Sequence, residues 1–375
     1  MAATGIKEVA RHAGVSVGTV SNVLNHPHLV AEATRKRVLA AIEELGFVRN
    51  ESARQLRAGS SRIIGLVVLD VANPFFTDVA RGAEAEADAV GSVVTLSNSG
   101  EDAERERRHL DLLLQQRVQG LLITPVDTAN PQLDRFIARG IPVVLVDRGA
   151  GRKNLCSVAV DDRLGGRLAV SHLVERGHER IAYVGGPFSI DQVADRHRGA
   201  EEALAPGTRL EVVETAALRV VEGQRAGAII AERPASRRPT AVFCANDLLA
   251  LGVLRELTHR GLRVPDDVAI VGYDDIDFAA AAAVPLSSVR QPRDELGRAA
   301  MKLLLEELQE GSSHRHRQLV FEPDLVVRES SDLTRPRRRR TSSGGSRRRS
   351  EGSQGSARRS GDGERPPRRA AGRAG

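Results

Sequence analysis

The chain has 375 residues, of which 41% are hydrophobic and 28% are charged, with a formal net charge of +6. This length allows two or three packed domains. No apolar run is long enough to span a membrane, and none follows Met1 as a signal-peptide core. We therefore expect a cytoplasmic protein with no membrane partner. Cys156 and Cys244 are too few and too far apart for a disulfide framework or a Cys-x-x-Cys metal site, so we expect two buried thiols and no bound metal or cofactor.

The charge is distributed unevenly along the chain. Residues 335–375 contain 14 Arg against three acidic residues, a net charge of +11. Residues 1–60 contain eight Lys and Arg against five acidic residues, a net charge of +3. Since the whole chain carries +6, residues 61–334 carry −8. A basic beginning and a basic end around an acidic middle indicate a polyanionic partner for the two ends only.

Residues 4–25 have the pattern of two short helices separated by a glycine turn. Apolar residues recur at helical spacing on both sides of Gly14-Val15-Ser16. Glycine relaxes the backbone limits at a tight corner, and Ser16 can cap the second helix. The pattern is typical of a helix-turn-helix that enters a DNA major groove, although a helical hairpin buried in a larger core has it too. A third helix is predicted from Val38, Leu39, Ile42 and Leu45, ending at Gly46.

From Arg62 the pattern changes to apolar strands that alternate with amphipathic helices. The predicted strands cover 63–69, 93–96, 120–124, 143–146 and 158–160, then 181–184, 210–213, 241–244 and 268–271, and finally 318–321 and 324–328. Continuous apolar strands between helices predict doubly wound parallel sheets. Two such runs in tandem predict a two-lobed α/β core with a ligand cleft between the lobes.

Several segments, in chain order, resemble the LacI/GalR family of bacterial transcription regulators over residues 4–330. They are IKEVARHAGVSVGTVSNVLN, TRKRVLAAIEELGF, NESARQL, NPFF, RLGGRLAVSHLVERGHERIAYVGG, ANDLLALG and VPDDVAIVGYDD. The resemblance implies a transcriptional repressor that acts as a homodimer, with two headpieces on palindromic double-stranded DNA. It also implies two cores that resemble periplasmic binding proteins and bind a small effector.

The resemblance places DNA contacts on the second helix. The family's main base-reading positions hold Val17, Gly18 and Asn22 in this chain. Asn can pair with an adenine edge and Val can contact a thymine methyl group. Gly18 costs about 1 kcal/mol in a helix interior relative to Ala, so it is expected to permit close approach to DNA. The candidate phosphate contacts are Ser16, Thr19, Ser21 and Asn25, and for Ser21 a solvated helix face is an equal alternative.

The segment Asn50–Arg57 resembles the family's hinge helix, which folds only on DNA. Leu56 takes the position of a leucine wedged between central base steps, and Ala53 lies beside it as a second candidate DNA contact. Arg49 stands where the family usually has proline, which leaves the start of the hinge open. The expected domains are the headpiece 1–48, the hinge and linker 49–61, the two-lobed core 62–330 and a disordered tail 331–375.

Polar and aromatic residues fall at strand-to-helix turns that should face the cleft. The candidate effector contacts are Asn73, Phe75, Phe76, Asp147, Arg148, Arg196, Asn246, Asp274 and Gln291. Such a mixture suits a sugar, because amides, carboxylates and guanidinium groups satisfy hydroxyls while aromatic faces cover C–H groups. The set also resembles that of ribose-type sugar-binding proteins and repressors. One of the two phenylalanines is expected to be a simple core residue, because adjacent helical positions diverge by about 100°.

The favoured effector is therefore a small sugar such as a ribose-like pentose, and two alternatives stay open. Asp147-Arg148 favours a sugar, because purine-sensing relatives tend to have an aromatic residue after the Asp; Leu218 departs from the aromatic wall of pentose binders. A purine- or nucleoside-responsive repressor and a sugar-binding transport protein are the alternatives. No Walker A loop, GxSxG elbow or HExxH pair indicates an enzyme, and Asp161-Asp162 is interpreted as a solvated acidic pair.

Overall fold

The computed structural model describes residues 5–47, 61–149, 151–152 and 154–332. The predicted hinge contacts Ala53 and Leu56, and the tail from residue 333 onward, lie outside the described residues. Within the described ranges, none of the helices has the length and apolar character that a membrane crossing requires.

The amino-terminal headpiece consists of α1 (Ile6–Ala13), α2 (Val17–Asn25) and α3 (Glu32–Glu44). Gly14 ends α1 with a left-handed φ of 65°, where a side chain would be strained. Ser16 begins α2 by accepting a 3.0 Å hydrogen bond from the backbone N–H of Thr19. The predicted helix-turn-helix is therefore confirmed. Leu39 is 49% exposed and does not belong to the buried face of α3, because Val38 and Ala41 occupy that face.

The first lobe is a six-stranded sheet in which all neighbouring strands are parallel. Its strands are β1 (Ile63–Val68), β2 (Val93–Asn98), β3 (Gly120–Ile123), β4 (Val143–Val146), β5 (Cys156–Val160) and β11 (Gln318–Phe321). Its helices are α4 (Pro74–Ala89), α5 (Ala103–Gln115), α6 (Gln132–Ile137) and α12 (Arg293–Glu310). The strand order is β11-β5-β4-β3-β1-β2. Helices α4 and α12 cover one face of the sheet, and α5 and α6 cover the other.

The second lobe has a sheet of the order β12-β10-β9-β8-β6-β7. Its strands are β6 (Arg180–Gly185), β7 (Arg209–Glu214), β8 (Ala241–Cys244), β9 (Ala269–Asp274), β10 (Ser287–Arg290) and β12 (Asp324–Val326). Its helices are α7 (Asp162–Glu175), α8 (Asp191–Glu202), α9 (Val220–Ala231), α10 (Asp247–His259) and α11 (Asp277–Ala281). Only β12 runs antiparallel to its neighbour, so the expected two-lobed α/β core with parallel sheets is confirmed with this one exception.

The chain crosses between the lobes after β5, after β10 and between β11 and β12. The carboxyl ends of the parallel strands therefore meet at the gap between the lobes, as a doubly wound sheet requires. The sequence pattern does not predict β10, because two of its four residues are the buried polar residues Ser287 and Ser288.

Helices α4 and α12 touch backbone to backbone. A Cβ atom at Gly82 would overlap the carbonyl oxygen of Asp294, and one at Gly297 would overlap that of Val79. The two helices are thus packed without a layer of side chains between them at this crossing.

The folded core extends beyond the predicted boundary at residue 330. The Ser331 side chain is fully buried and its hydroxyl lies 2.8 Å from His172 Nε2. Asp332 accepts a 2.9 Å hydrogen bond from Arg176. The predicted start of the tail at 331 is wrong by at least two residues, because these polar side chains close the end of the second lobe.

Candidate functional site

Polar side chains from both lobes meet in the cleft. Asn73 caps α4, with its Oδ1 accepting a hydrogen bond from the Phe75 N–H, and its Nδ2 donates to Asp274 Oδ2 on the opposite lobe at 2.9 Å. Gln291, at the crossover after β10, donates to the other oxygen of Asp274 at 2.7 Å. Asn73 and Gln291 lie 201 and 17 positions from Asp274 in the sequence, and the three residues form one buried hydrogen-bonded chain.

Arg196 is the central cation of this cleft. It lies on α8 and is 4% exposed. Its Nε donates to Asp162 Oδ1 and its Nη1 to the Ala245 carbonyl, each at 2.7 Å, while its guanidinium carbon lies 3.7 Å from the centroid of the Tyr273 ring. Burial alone would lower the pKa of Arg196, but the carboxylates of Asp162 and Asp274 outweigh it and raise that pKa above the ordinary value. Arg196 is therefore a fixed positive charge.

Asp147 and Arg148 follow β4 and face the second lobe. Gln192 on α8 donates from its Nε2 to the carbonyl and to Oδ2 of Asp147, at 2.6 and 2.9 Å. Arg148 is 4% exposed, and its Nη1 lies 3.3 Å from Oδ2 of Asp191. Burial, reinforced by the nearby Asp162 charge, raises the pKa of Asp147 to about 7. This carboxyl is consequently poised to change its protonation state near neutral pH.

Two of the cleft aspartates hold strained backbone conformations. Asp147 has a φ of 56° and Asp274 a φ of 104°, values that side-chain-bearing residues rarely adopt. Both residues stand where a strand ends at the cleft. A strained backbone conformation is kept only where the surrounding contacts hold it in place. Such conformations are most frequent at ligand sites.

Several buried polar atoms of the cleft have no hydrogen-bond partner among the described residues. They are Asp147 Oδ1, Arg148 Nε, Gln192 Oε1 and Gln291 Oε1, while Arg148 Nη1 makes only the 3.3 Å ion pair with Asp191. Buried polar atoms are nearly always paired, so a group of unpaired ones in one cleft marks a place for an external partner. The group offers both donors and acceptors, as a polyhydroxylated molecule requires.

The apolar wall of the cleft comes mainly from α4. Phe75 and Phe76 both line the cleft, and both are packed into the core of the first lobe with their rings perpendicular at 5.0 Å. Both rings therefore belong to the core, and the expectation that only one of them contacts the effector stays a prediction. Leu218 lines the cleft from the second lobe.

Asn246 lies in the cleft lining, but its side chain also serves the fold. Its Oδ1 caps α10 by accepting a hydrogen bond from the Leu249 N–H at 2.9 Å, and its Nδ2 donates to the Leu218 carbonyl at 3.1 Å. The structure thus brings all nine predicted effector contacts to the cleft region, with Arg148 at its rim.

Asp162 and Gln192 also belong to the site, although the sequence pattern does not predict them. Asp162 is buried and paired with Arg196, so its interpretation as a solvated acid is wrong. Its position just after β5, at the same edge as Asp147 after β4, is the feature that would have indicated it. Gln192 carries no such pattern, because it lies inside a polar helix one residue from the exposed Asp191.

The predicted base-reading residues lie on one exposed face of α2. Val17 is 42% exposed, and Gly18 and Asn22 are exposed. A Cβ atom at Gly18 would meet only Ser16 Oγ, at an ordinary contact distance of 3.6 Å. The fold itself therefore does not require glycine here.

The predicted phosphate contacts surround this face, and their side chains already take part in hydrogen bonds of α2. Ser16 Oγ lies 2.9 Å from Thr19 Oγ1, and Asn25 Nδ2 donates to the Ser21 carbonyl at 2.9 Å. These bonds orient the side chains along the helix. Thr19 and Ser21 are partly buried, whereas Ser16 and Asn25 are exposed.

The headpiece and the two-lobed core define a regulator that couples DNA binding to a ligand cleft. Residues 5–50 match the bacterial regulatory proteins of the lacI family, and residues 170–331 match the periplasmic binding protein-like domain. The chain is 35% identical over 330 residues to the HTH-type transcriptional repressor PurR of Aliivibrio fischeri (strain MJ11), with 87% of this chain and 97% of that protein covered. The chain belongs to the LacI family: it is a DNA-binding, effector-controlled transcriptional regulator and not an enzyme.

Two solved structures bear on the cleft. The transcriptional regulator CelR in complex with cellobiose is 33% identical with a TM-score of 0.64, covering 87% of this chain and 99% of that one. A LacI family regulator from Enterococcus faecalis V583 with bound ribose is 29% identical with a TM-score of 0.66, covering 72% of this chain and 98% of that one.

Proposed function

We propose that this protein is a dimeric repressor of a palindromic operator, acting on DNA in the cytoplasm, and that a ribose-like pentose bound between the lobes controls it. The observation that carries the choice of effector is the buried group of unpaired polar atoms around Asp147, Arg148, Gln192 and Gln291. A pentose presents several hydroxyls within a small volume, and each hydroxyl can donate and accept. The ribose-bound relative from Enterococcus faecalis supports a sugar of this size in a core of this fold.

A purine-responsive repressor is the second candidate, because the similarity to PurR extends over nearly the whole chain. The cleft lining argues for the pentose instead. Its aromatic residues, within the described part of the chain, come from α4 alone. Leu218 departs from the aromatic wall of pentose binders, but it gives the second lobe an aliphatic surface in the cleft instead of a second flat ring. A purine is held best between two flat faces, whereas a sugar needs an aromatic or apolar cover on one side only.

On the DNA side, Val17 and Asn22 would read base edges while the backbone at Gly18 comes close to the groove. We further propose that Leu56 inserts into the minor groove at the centre of the operator. Closure of the lobes around the pentose would change the spacing of the two hinges in the dimer. A differential preference of about 1–3 kcal/mol between the lobe arrangements is enough for such control.

The test of the effector is calorimetric titration of the full chain with D-ribose, cellobiose and hypoxanthine. We expect heat from D-ribose, and a loss of about 2–5 kcal/mol of binding free energy in Arg196→Ala, since buried partners are then left unpaired. Arg176→Ala is the matched control, because Arg176 pairs with Asp332 away from the cleft. Binding of hypoxanthine without binding of D-ribose would show that the effector is a purine and not a pentose. Binding of neither compound would overturn the assignment of the cleft as the effector site.

The test of the DNA side is selection of binding sites from random duplexes, followed by affinity measurement on the selected site. We expect a palindromic site, and a weaker complex with Leu56→Ala that still binds D-ribose normally. Operator affinity unchanged by Leu56→Ala would contradict the proposed wedge while leaving the effector assignment intact.

A further inference from the structure

Four potential metal ligands converge in the first lobe, remote from the effector cleft. They are Cys156, Glu307, His314 and His316, and one ligand atom from each lies within 4.8 Å of the others. Cys156 is the first residue of β5, so the cluster lies at the amino-terminal edge of the sheet, whereas the cleft lies at the carboxyl edge. None of the four takes part in the cleft described above.

The pairing of β11 with β5 creates this cluster. The two strands are parallel, with Gln318 opposite Ser157, and the Ser157 N–H donates to the Arg317 carbonyl at 3.0 Å. The residues just before β11 therefore lie alongside Cys156. Helix α12 ends at Glu310, and its last turns bring Glu307 to the same place.

The distances suit a tetrahedral ion. Cys156 Sγ lies 3.2 Å from His314 Nε2 and 3.8 Å from His316 Nδ1, and His316 Nδ1 lies 3.8 Å from Glu307 Oε2. Zinc bonds of about 2.3 Å to sulfur and 2.0–2.1 Å to nitrogen place neighbouring ligand atoms about 3.3–3.6 Å apart in a tetrahedron. Shifts of a few tenths of an ångström would complete that geometry.

The surrounding contacts orient the ligands as in known metal sites. Glu310 Oε2 lies 2.8 Å from His314 Nδ1, which leaves Nε2 of the same ring directed at the Cys156 sulfur. Carboxylate-held histidines of this kind are a common outer-shell feature of zinc sites. The backbone N–H of Arg317 donates to Cys156 Sγ at 3.4 Å, as it would to a bound thiolate.

The cluster is mostly buried, and two of its ligands are negatively charged when they bind a metal. Cys156 is fully buried, the side chain of His314 is 3% exposed, and Glu307 Oε2 is a buried atom without a hydrogen-bond partner among the described residues. A thiolate and a carboxylate carry two negative charges, which a divalent cation neutralises while two neutral imidazoles complete the set.

We propose that Cys156, Glu307, His314 and His316 bind one Zn²⁺ per chain and thereby tie α12 and β11 to β5. Zinc is favoured over magnesium or calcium because the set contains sulfur and nitrogen ligands, which those hard cations avoid.

The experiment uses the untagged full chain, freed of metal with a chelator and titrated with Co²⁺ under reducing conditions. We expect one Co²⁺ per chain, with a thiolate-to-cobalt charge-transfer band and the intense visible bands of a tetrahedral site, both removed by one equivalent of Zn²⁺. Cys156→Ser should abolish the charge-transfer band. His316→Gln, which changes a side chain that is 27% exposed, should lower zinc affinity at least tenfold. Glu310→Ala should lower it roughly 10-fold or more, because the His314 ring then loses the acceptor that orients it.

The controls separate this cluster from other cysteines and histidines. Cys244→Ser, in the core of the second lobe, and the double variant His26→Gln with His28→Gln, in the headpiece, should both retain the cobalt spectrum. Zn²⁺ should raise the melting temperature of the parent chain and of these controls but not that of His316→Gln, whose metal-free melting should match the parent. Absence of the charge-transfer band in the parent chain, or undiminished zinc affinity in His316→Gln, would overturn the proposal.

Discussion

The side-chain amide of Asn73, on the first lobe, donates a 2.9 Å hydrogen bond to Asp274 on the second. Both residues are buried, at 8% and 2% exposure. The cleft is thus bridged by the same side chains that are proposed to hold the effector. A ligand that enters must exchange this bond for its own, so effector affinity and lobe arrangement depend on the same atoms.

Replacing Asn73 by Ser separates the two roles of this residue. Ser caps a helix about as well as Asn does, but it cannot reach Asp274. We expect a lower melting temperature, because the buried Asp274 carboxylate loses a hydrogen-bond donor. We also expect an affinity for D-ribose about 10–100-fold lower, because the shorter side chain cannot make the proposed hydrogen bond to the effector, a loss of about 1–3 kcal/mol. Asn98→Ser is the matched control, because Asn98 holds a turn in the same lobe outside the cleft lining. Equal losses of affinity in both variants would contradict a specific role for Asn73.

The raised pKa of Asp147 predicts how stability depends on pH. The pKa rises from an ordinary 3.8 to about 7 in the folded protein, mainly through burial. The folded state therefore binds more protons than the unfolded state between about pH 4 and pH 7, so this group's contribution to stability is lost as the pH rises through that range. Asp147→Asn removes this pH-dependent loss of stability, because an amide does not titrate in this range. It should raise the free energy of unfolding relative to the parent chain by about 1–3 kcal/mol at pH 8, and by little near pH 4.

Urea unfolding at pH 4, 6 and 8 measures this difference. Asp127→Asn serves as the control, because Asp127 is an exposed carboxylate of the same lobe whose acceptor oxygen is kept by Asn. A difference between Asp147→Asn and the parent chain that stays constant with pH would show that Asp147 does not titrate as its burial requires.

Gly18 offers a test of the recognition helix. Since only Ser16 Oγ lies near a Cβ atom at this position, Ala fits the free protein and should stabilise α2 by about 0.5–1 kcal/mol. The added methyl group should nevertheless weaken binding to the selected operator about tenfold, or about 1.4 kcal/mol, if the backbone approaches the groove closely. Thermal melting and fluorescence anisotropy would record the two effects. A variant that melts higher and binds the operator fully would remove Gly18 from the interface.

The Arg-rich segment 335–375 carries a net charge of +11. Truncation after Thr334 should weaken binding to non-operator DNA and reduce the slope of log affinity against log salt, because fewer phosphate-bound counterions are released. The segment has no apolar heptads, so light scattering should report a dimer with and without it. An unchanged salt slope, or a tetramer that depends on the segment, would contradict this prediction.

The lobes and most of the cleft were predictable because buried parallel strands have continuous apolar sequences and because their carboxyl ends converge. Asp147, Asn246 and Asp274 each end or follow such a strand. Asp162 obeys the same rule, but its acidic neighbour Asp161 made a solvated pair the simpler interpretation. The burial that raises the pKa of Asp162 is a tertiary property.

The ligand cluster around Cys156 was beyond sequence reasoning for a different reason. Its cysteine and its histidines are 158 and 160 residues apart, and no short motif relates them. Only the parallel pairing of β11 with β5 makes them neighbours. A strand order cannot be read from apolar periodicity, so the expectation of two isolated thiols followed from spacing alone.

The direct backbone contact between α4 and α12 makes this helix pair a rigid part of the first lobe. Helix α12 begins two residues after Gln291 at the cleft and runs for 18 residues, about 27 Å, to Glu310 beside His314. Because no side chains separate it from α4 at Gly82 and Gly297, we expect the two helices to move together as one rigid unit. A spectroscopic probe at the far edge of the lobe would therefore register events in the cleft without touching the ligand.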